Sequence, residues 1–377
     1  MTSSLEQIRA TLARFNQRYD ESLAKAPPSK RWVRRALHRQ GAQRCPVRLK
    51  RISFDLILRY PDELADLFAQ YPEDTVFAQA YEFSLGYRPL TPMDPVRALT
   101  ESAEWTDDWG TVWQHSADGV GASPSASPLT DWSQLDDYLE RRMPDSREPG
   151  RLDGALPTLN RHGNNRYFGG MTHFLLYERL HALRGMENTF EDFYANPEQV
   201  DRLLGALTDY YLDIIRAWAR WENVDAVFMT DDWGTQNSLM ISPELWRKFF
   251  AARYRRICEE AHRFGMDVVF HSCGCVSAIV GDLIDAGVDV LDPIQPDAMD
   301  LKALAREYGG KVAFCGGISD QRLARQTPAQ VKDEIRATID LLGKAFDNAY
   351  LVAPSNVLTP EIPLANIVAM FEACHNQ

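Results

Sequence analysis

The stretch that decides the fold is MDVVFHSCGCVSAIVGDLIDAGVDVLDPIQP, residues 266–296. It begins with a run of β-branched and aromatic residues, continues through an amphipathic segment and ends in a second apolar run, which predicts strand, helix and strand. The same alternation continues on both sides, with strands expected at VDAVFMTDD (224–232), KVAFCGGIS (311–319) and AYLVAPSN (349–356). Strands that are almost continuously apolar and alternate with helices are typical of a parallel sheet covered by helices.

The first half of the chain is less regular. Its best strand candidates are CPVRLKRIS (45–53), TVFAQAYEF (75–83) and RYFGGMTHF (166–174). Together with the five strands of the second half they make eight, the number that closes a (β/α)8 barrel. We therefore expect one α/β TIM-barrel domain over residues 1–377, with N-terminal helices at 1–44. The segment 85–162, rich in Pro, Ser, Trp and Asp, is expected to be an insertion of hairpin and loops.

The composition describes an ordinary globular protein and restricts its partners. A formal net charge of −12 and a pI near 5.2 argue against nucleic acid or an anionic membrane surface as the main partner. No run approaches the ~20 apolar residues of a membrane span, and the charged helical pattern at 1–25 is not a secretory signal. Six cysteines without small-scaffold spacing predict reduced thiols and a cytoplasmic location.

Polar residues stand at the ends of the later predicted strands, and functional groups of such barrels lie at these ends. They are Asp231, Asp232 and Gln236 after the fourth strand, His271 and Cys273 after the fifth, Asp292 and Gln295 after the sixth, Cys315 after the seventh, and Ser355 and Asn356 after the eighth. Because the strands are parallel, we expect these groups to converge on one pocket at the mouth of the barrel.

His271 and Cys273 form the most specific pattern. Residues i and i+2 of a strand point to the same side, so these two side chains can chelate one ion while Ser272 and Gly274 face away. Each group also has an ordinary structural interpretation. An aspartate can cap the following helix, a free cysteine is most often a small buried hydrophobe, and a lone histidine is most often a hydrogen-bonded structural residue. A histidine and a cysteine on one strand end favour the metal site.

Much of the chain from about residue 166 to 371 resembles the uroporphyrinogen decarboxylase superfamily. The matching pieces are FGGMTHFLLYERLHALRGMENTFEDFYANPEQV (168–200), TDDWGTQNSLMISPELWRKFF (230–250), FHSCGCVSAIVGDLIDAGVDVLDPIQP (270–296), VAFCGGISDQ (312–321) and PSNVLTPEIPLANIVAM (354–370). The segment RWVRRALHRQGAQRCPV (31–47) also resembles that family's opening helix and first strand. The length and order of the match imply a single (β/α)8 barrel.

True uroporphyrinogen decarboxylases of this superfamily carry an N-terminal arginine-rich segment of the type PxWxMRQAGR and, soon afterwards, an aspartate that grips the pyrrole nitrogens. The equivalent segment here is PVRLKRISFDLI (46–57), and the second-strand region is TVFAQAYEFSL (75–85), so the motif is absent and the aspartate position is lost. A substrate with many carboxylates would also suit a basic mouth better than a set of aspartates. Decarboxylation of uroporphyrinogen is therefore the alternative prediction.

The other main branch of the superfamily contains corrinoid-dependent methyltransferases, which move a methyl group between a corrinoid protein and a thiol or a methoxylated or methylated small molecule. Its zinc-dependent members carry His-x-Cys-Gly at one strand end, which His271–Gly274 matches, and a further cysteine near the last strand. Ser355 and Asn356 stand where that cysteine would be. Cys315, on the neighbouring strand end, is the best substitute as third ligand.

The resemblance thus predicts methyl transfer between a small-molecule donor or acceptor and a separate corrinoid protein, with zinc on His271, Cys273 and Cys315. Asp231, Asp232 and His271 are expected to be catalytic. The expected substrate-binding residues are Glu82, Gln236, Asp292, Gln295 and Asn356. A barrel that only binds a ligand is a third hypothesis, because a fold does not guarantee activity. The substrate, the direction of transfer and the oligomeric state stay open, with a homodimer as one option.

Overall fold

The computed structural model describes residues 5–79, 88–90, 94–98, 101–115 and 122–377. Glu82, one of the predicted substrate-binding residues, lies outside the described residues. Within the described ranges, no helix is both long enough and apolar enough to cross a membrane.

A curled parallel sheet forms the centre of the fold. In chain order the strands are β1 (Thr75–Ala78), β2 (Ala103–Thr106), β3 (Val112–His115), β4 (Ala122–Ala126), β5 (Tyr167–Thr172), β6 (Ala226–Thr230), β7 (Asp267–His271), β8 (Val290–Ile294), β9 (Ala313–Ile318) and β10 (Tyr350–Pro354). Seven of them form the parallel sheet in the order β1-β5-β6-β7-β8-β9-β10. The right-handed twist between neighbouring strands curls this sheet toward closure.

The segment around Arg48 adds an eighth position to the barrel beside β10. The N–H of Arg48 donates to the carbonyl of Val352 at 2.9 Å, and the N–H of Val352 donates to the carbonyl of Pro46 at 2.8 Å. The predicted (β/α)8 barrel is therefore confirmed.

The first barrel strand is less regular than the sequence predicts. Instead of a strand over 45–53, isolated bridges form at Val47 and Ile52. The reason lies on the β1 side, where the carboxylate of Glu73 accepts the N–H groups of Leu49 and Lys50. A side chain thus takes backbone donors that a neighbouring strand would otherwise use.

Helices cover the outside of the barrel. In chain order they are α1 (Leu5–Lys25), α2 (Lys30–Leu37), α3 (Phe54–Arg59), α4 (Pro61–Gln70), α5 (Pro95–Ala98), α6 (Leu135–Asp137), α7 (Leu156–His162), α8 (Tyr177–Arg184), α9 (Met186–Ala195), α10 (Pro197–Trp218), α11 (Pro243–Trp246), α12 (Ala252–Arg263), α13 (Val280–Ala286), α14 (Leu301–Tyr308), α15 (Asp320–Leu323), α16 (Pro328–Leu342) and α17 (Leu364–His375). A π-helical turn, Arg247–Ala251, joins α11 to α12. The Ser242 hydroxyl caps this long helix by accepting the N–H of Leu245 at 3.2 Å.

The helix α2 covers the N-terminal end of the barrel. Val33 and Leu37 are buried in one cluster with Tyr167 and Ala226, whose strands line the barrel. Removing each of the two aliphatic side chains from water stabilises the fold by roughly 1.5–3 kcal/mol. The N-terminal helices are thus part of the barrel's packing.

Charges on one side of α2 pair with aspartates at the starts of barrel strands. Nζ of Lys30 lies 2.8 Å from Asp225, and Nη1 of Arg34 lies 3.6 Å from the same carboxylate. One turn further on, Nε2 of His38 lies 2.9 Å from Asp267. The spacing i, i+4, i+8 keeps the three cations on one face of the helix, which fixes α2 under β6 and β7.

The inserted hairpin region contains an antiparallel sheet in the order β2-β3-β4. Trp113 of β3 is fully buried, and its indole N–H donates to Oδ2 of Asp107 at 2.9 Å. The same carboxylate also accepts the N–H groups of Trp109 and Thr111. This buried aspartate holds the turn between β2 and β3, and the insertion packs into the main core, where the ring of Trp113 lies 5.2 Å from that of Phe174.

Candidate metal centre

Asp232, His271 and Cys273 bring a carboxylate oxygen, a ring nitrogen and a sulfur within 4.8 Å of one another. Nε2 of His271 lies 3.4 Å from Sγ of Cys273 and 3.8 Å from Oδ1 of Asp232. Metal–ligand bonds of about 2.0–2.3 Å in tetrahedral geometry place ligand atoms about 3.3–3.8 Å apart. The spacing of the triad therefore fits one ion with little movement of the side chains.

Two glycines bring the loops of the triad together. A Cβ on Gly274, where φ is +81°, would lie 2.4 Å from the backbone of Gly234, and a Cβ on Gly234 would lie 2.5 Å from the carbonyl oxygen of Cys273. The N–H of Gly234 donates to that carbonyl at 3.1 Å, and the N–H of Cys273 donates to Oδ1 of Asp232 at 2.8 Å. Because only glycine permits such an approach, these two positions set Asp232 beside Cys273.

Asp292 orients His271 from inside the barrel. Its Oδ2 lies 2.9 Å from Nδ1 of His271. The same buried carboxylate accepts a hydrogen bond from Arg51 and a longer one, 3.4 Å, from Nη1 of Arg48. Carboxylates commonly hold metal-binding histidines in this way, with one ring nitrogen occupied and the other directed at the metal. Here Nε2 is the nitrogen that faces Cys273.

The charges of this group depend on one another. Burial by itself would raise the pKa of Asp292, but Arg51, Arg48 and His271 hold that pKa well below its usual range. Burial lowers the pKa of His271, whereas Cys273 and Asp292 raise it to about 10. Without a metal the imidazole is therefore protonated at neutral pH, and a bound cation would compete with this proton for Nε2.

The family model for uroporphyrinogen decarboxylase (URO-D) matches residues 180–377, more than half of the chain. The chain belongs to the uroporphyrinogen decarboxylase family. The resemblance predicted from the sequence is thereby confirmed. No curated protein matches the chain at a significant level.

Among solved structures, a methyltransferase from Methanosarcina mazei has a TM-score of 0.65 and 16% identity, over 93% of this chain and 99% of that chain. A B12-independent methionine synthase from Shewanella sp. W3-18-1 has a TM-score of 0.40 and 12% identity, over 74% of this chain and 75% of that chain. The first similarity shows that this URO-D family protein shares the methyltransferase's fold, and at such identity it shows the fold alone. The second is too weak to support an argument.

Asp231 is placed differently from the catalytic role predicted for it. Its buried carboxylate accepts the N–H groups of Leu176, Tyr177 and Glu178 at 2.7–3.0 Å and the hydroxyl of Tyr254. Burial raises its pKa to about 6, although these hydrogen bonds lower it. Four donors occupy the carboxylate and leave it no room for a substrate. Asp231 therefore caps the start of α8, and the helix-cap interpretation replaces the catalytic one.

Cys315 is also placed differently from its predicted role as third metal ligand. It is fully buried in β9 and packs in the cluster that contains Phe228 and Leu351. Burial raises the pKa of its thiol, and the charge of Asp292 raises this pKa further. Among the described residues, the group that can hold a metal includes Asp232 in the place predicted for Cys315. Cys315 lies within β9 beside the buried Asp292, and its sulfur is outside this group.

Three further predicted residues serve the loops around the triad. Oε1 of Gln295 accepts the N–H of Gly274, so this side chain supports the loop that follows Cys273. Gln236 is exposed and donates to the carbonyl of Asp297. Asn356 is exposed as well, and its Oδ1 accepts the N–H of Val357 at 2.7 Å. Substrate contacts of Gln236 and Asn356 stay predictions.

Sequence reasoning missed two arginines inside this URO-D family barrel. The guanidinium of Arg48 lies 4.2 Å from the ring centre of Phe77 and 4.7 Å from that of Phe228. Arg51 pairs with Asp292, as described above. The mouth is therefore not purely acidic, which corrects the charge argument made from the sequence. The sequence did contain a signal for them, namely two arginines in the predicted barrel strand CPVRLKRIS. A buried arginine requires an anion inside the protein, so these two residues indicated an internal ion pair.

Glu178 is a further residue that the sequence did not single out. The Thr230 hydroxyl donates to its Oε2 at 3.0 Å. Burial and the neighbouring Asp232 raise the pKa of Glu178 well above its usual value. At the end of β5, the strand next to β6, burial lowers the pKa of His173 to about 3, so its ring stays neutral. The site thus contains a carboxyl with a raised pKa and a neutral imidazole near the triad.

Proposed function

We propose that this URO-D family protein transfers a methyl group between a small molecule and a separate corrinoid protein, at a zinc ion held by Asp232, His271 and Cys273. The triad itself carries the proposal, because its nitrogen, oxygen and sulfur atoms lie within 4.8 Å of one another. They stand at the ends of β6 and β7, where barrel enzymes hold their functional groups. Zinc accepts such a ligand set, and three protein ligands leave a fourth position for substrate.

The donor set suits zinc in charge as well as in geometry. A carboxylate from Asp232 and a thiolate from Cys273 balance a divalent cation, and the neutral imidazole of His271 completes the set. A zinc ion there would supply a Lewis acid that keeps a substrate thiol or hydroxyl deprotonated at neutral pH. Softer donors such as sulfur argue against magnesium or calcium.

The remaining residues of the site would position groups and move protons. Burial and Asp232 raise the pKa of Glu178, which suits this carboxyl to give a proton to a leaving oxygen or to accept one from an entering thiol. The ring of Phe228, 5.7 Å from that of His271, forms an apolar wall against which a methylated group can lie. Asp292 keeps Nδ1 of His271 occupied, so that Nε2 stays directed at the reacting end of the site.

The methyl carrier in this proposal is a corrinoid on a different protein, as the resemblance to the corrinoid-dependent branch implies. The shared fold with the Methanosarcina mazei methyltransferase supports it at the level of architecture. A cytoplasmic site of action is part of the proposal, because all six cysteines have free thiols.

A decarboxylase acting on a carboxylate-rich substrate is the second candidate, and the arginines favour it. Arg48 and Arg51 bring two positive charges into the barrel beside His271. Asp292 pairs with both guanidinium groups, so its single negative charge offsets part of theirs inside the protein. Methyl transfer stays the first proposal, because the ligand set of the triad carries it.

The first test is metal content in protein purified without added metal. We expect close to one equivalent of zinc in the wild type, and a loss of most of it in Cys273→Ala and in Asp232→Asn. Cys315→Ala is the matched control, since it removes a thiol that lies outside the triad. Less than about a tenth of an equivalent of zinc in the wild type would end the zinc proposal. Zinc lost only in Cys315→Ala would restore the ligand set predicted from the sequence.

The second test is activity of the zinc-loaded protein under anoxic conditions. We expect the absorbance of methylcob(III)alamin to decay when a thiol acceptor is present, and to stay constant with Cys273→Ala. Uroporphyrinogen is offered in parallel. Formation of coproporphyrinogen at more than ~1 per second, without methyl transfer, would promote the decarboxylase candidate.

A further inference from the structure

The barrel has an open seam between the segment that contains Arg48 and strand β1. On its other side this segment is bonded to β10, but toward β1 it receives one backbone bond, from the N–H of Asp74 to the carbonyl of Val47 at 3.2 Å. In the described part of the chain, no backbone hydrogen bond joins Thr75–Ala78 to residues 46–51. Two strands that do not form a ladder leave room between them.

A cleft of about 380 Å³ lies at this seam. Phe77 and Met171, which pack against the cluster inside the barrel, form one part of its wall. Tyr19 of α1 forms another part. Two cations of the same extended segment, Arg48 and Lys50, also line it. The cleft therefore combines an apolar wall with the positive charges of Arg48 and Lys50, and Nζ of Lys50 lies 3.8 Å from the ring centre of Tyr19.

We propose that this cleft binds a small organic carboxylate, with its carboxylate group between Arg48 and Lys50 and its apolar part against Phe77 and Met171. A guanidinium offers five N–H donors in a planar fork that matches a carboxylate. Asp292 engages Arg48 through a single hydrogen bond of 3.4 Å at Nη1, so donors of the fork are left for a ligand.

The acidic side chains of the cleft already have hydrogen-bond partners. Glu73 accepts the hydroxyl of Tyr19 and the N–H groups of Leu49 and Lys50. Asp20 contacts Arg161 and lies 3.2 Å from Nε2 of His162. Arg161 offsets the charge of Asp20, whereas burial raises the pKa of Glu73 and so disfavours its charged form. Arg48 and Lys50 are the cations of the cleft that face an entering anion.

The apolar wall decides between classes of anion. Inorganic phosphate would satisfy the two cations but would leave the ring of Phe77 and the thioether of Met171 without a partner. An anion with a hydrophobic body of five or six carbons uses both parts of the wall, and each buried methylene contributes about 0.8 kcal/mol. A cavity of this volume suits such a molecule.

The test measures binding of benzoate to the full chain, with benzamide as the neutral isostere and inorganic phosphate as the purely ionic probe. We expect saturable binding of benzoate with a Kd below about 5 mM, and at least tenfold weaker binding of benzamide and of phosphate. Arg48→Met should weaken benzoate binding at least tenfold, and Lys50→Gln about threefold. Arg255→Met, which removes an exposed arginine on α12, is the matched control and should bind benzoate as the wild type does.

Cys273→Ala separates this cleft from the metal triad. Benzoate binding that persists in metal-free Cys273→Ala supports the cleft, whereas its loss there would place the carboxylate on the triad and overturn the proposal. Equal affinity for benzoate and benzamide, or equal affinity for phosphate, would overturn the assigned ligand class. Should Arg48→Met fail to fold, Lys50→Gln decides alone, because Lys50 is exposed. Unchanged benzoate binding in that folded variant would then refute the site.

Discussion

Nδ1 of His271 lies 2.9 Å from Oδ2 of Asp292, and this contact determines which ring nitrogen faces Cys273. The carboxylate of Asp292 is buried and also forms ion pairs with Arg48 and Arg51. One aspartate thus connects the metal-binding end of the site to the arginines of the first barrel segment. The predictions below follow from that arrangement and from the loops around it.

Asp292→Asn should weaken zinc binding by about 10–100-fold, because the histidine loses the partner that orients it. It should also lower the free energy of unfolding by about 3–5 kcal/mol, since two buried guanidinium groups lose their anion. Zinc titration and urea unfolding measure the two effects. Asp209→Asn, which breaks an exposed pair with Arg256, is the control and should change neither quantity noticeably. Zinc affinity that stays at the wild-type value would refute the orienting role.

Asp231→Asn should destabilise the protein by about 1–2 kcal/mol and leave zinc content unchanged, because the carboxylate caps α8 and is not a ligand. Thermal unfolding and metal analysis of the same preparation test both halves of the statement. Loss of zinc at unchanged stability would return Asp231 to the site, as the sequence had predicted.

Gly274→Ala should remove zinc binding and lower the free energy of unfolding by more than about 3 kcal/mol, because a Cβ meets the backbone of Gly234 in addition to the strain of a positive φ. Gly265→Ala isolates the strain. Its φ is +71°, and a Cβ there has no atom within 4 Å. That control should cost about 1–2 kcal/mol and keep its zinc. Equal losses in the two variants would show that the approach of the loops is unimportant.

Stability should decline as the pH rises above the ordinary titration range of histidine. Asp267 raises the pKa of His38 by a hydrogen bond, and Asp289 raises that of His262 in the same way. A pKa that is higher in the folded state gives stability that is complete below the unfolded value of about 6.5. This stability is lost as the pH passes through the raised pKa.

Both rings are partly exposed, so solvent screening limits each contribution to less than about 1 kcal/mol. Urea unfolding at a series of pH values, in wild type and in the double variant His38→Gln/His262→Gln, checks the prediction. The double variant should show a shallower slope above neutral pH, and the raised pKa of His271 contributes the same remaining slope to both metal-free proteins. A slope that is equal in both proteins would show that other groups carry it.

Much of the fold could be predicted from sequence because its signals are local. Apolar runs that alternate with amphipathic segments predicted the strands of the second half, and the structure has them with shifted ends. The irregular segment 45–53 could not be predicted in this way. Its backbone donors are taken by Glu73, a residue distant in sequence, and no local pattern reports such a contact.

The sequence by itself determined the barrel, the family and the pair His271 and Cys273, because strand periodicity places residues i and i+2 on one side. Only the tertiary structure decided the third member of the triad. Asp231 and Asp232 are adjacent in sequence and chemically identical, yet Asp231 caps the helix α8. Asp232 instead lies beside Cys273, because the close contact of Gly234 with Gly274 brings the two loops together. The position of Cys315 was likewise decided by tertiary packing, because its thiol is buried in the barrel beside Asp292 and lies outside the triad. Only the tertiary structure placed the two arginines inside the barrel as well. A buried positive charge needs an anion beside it, and here that anion is Asp292 of β8, which is distant in sequence.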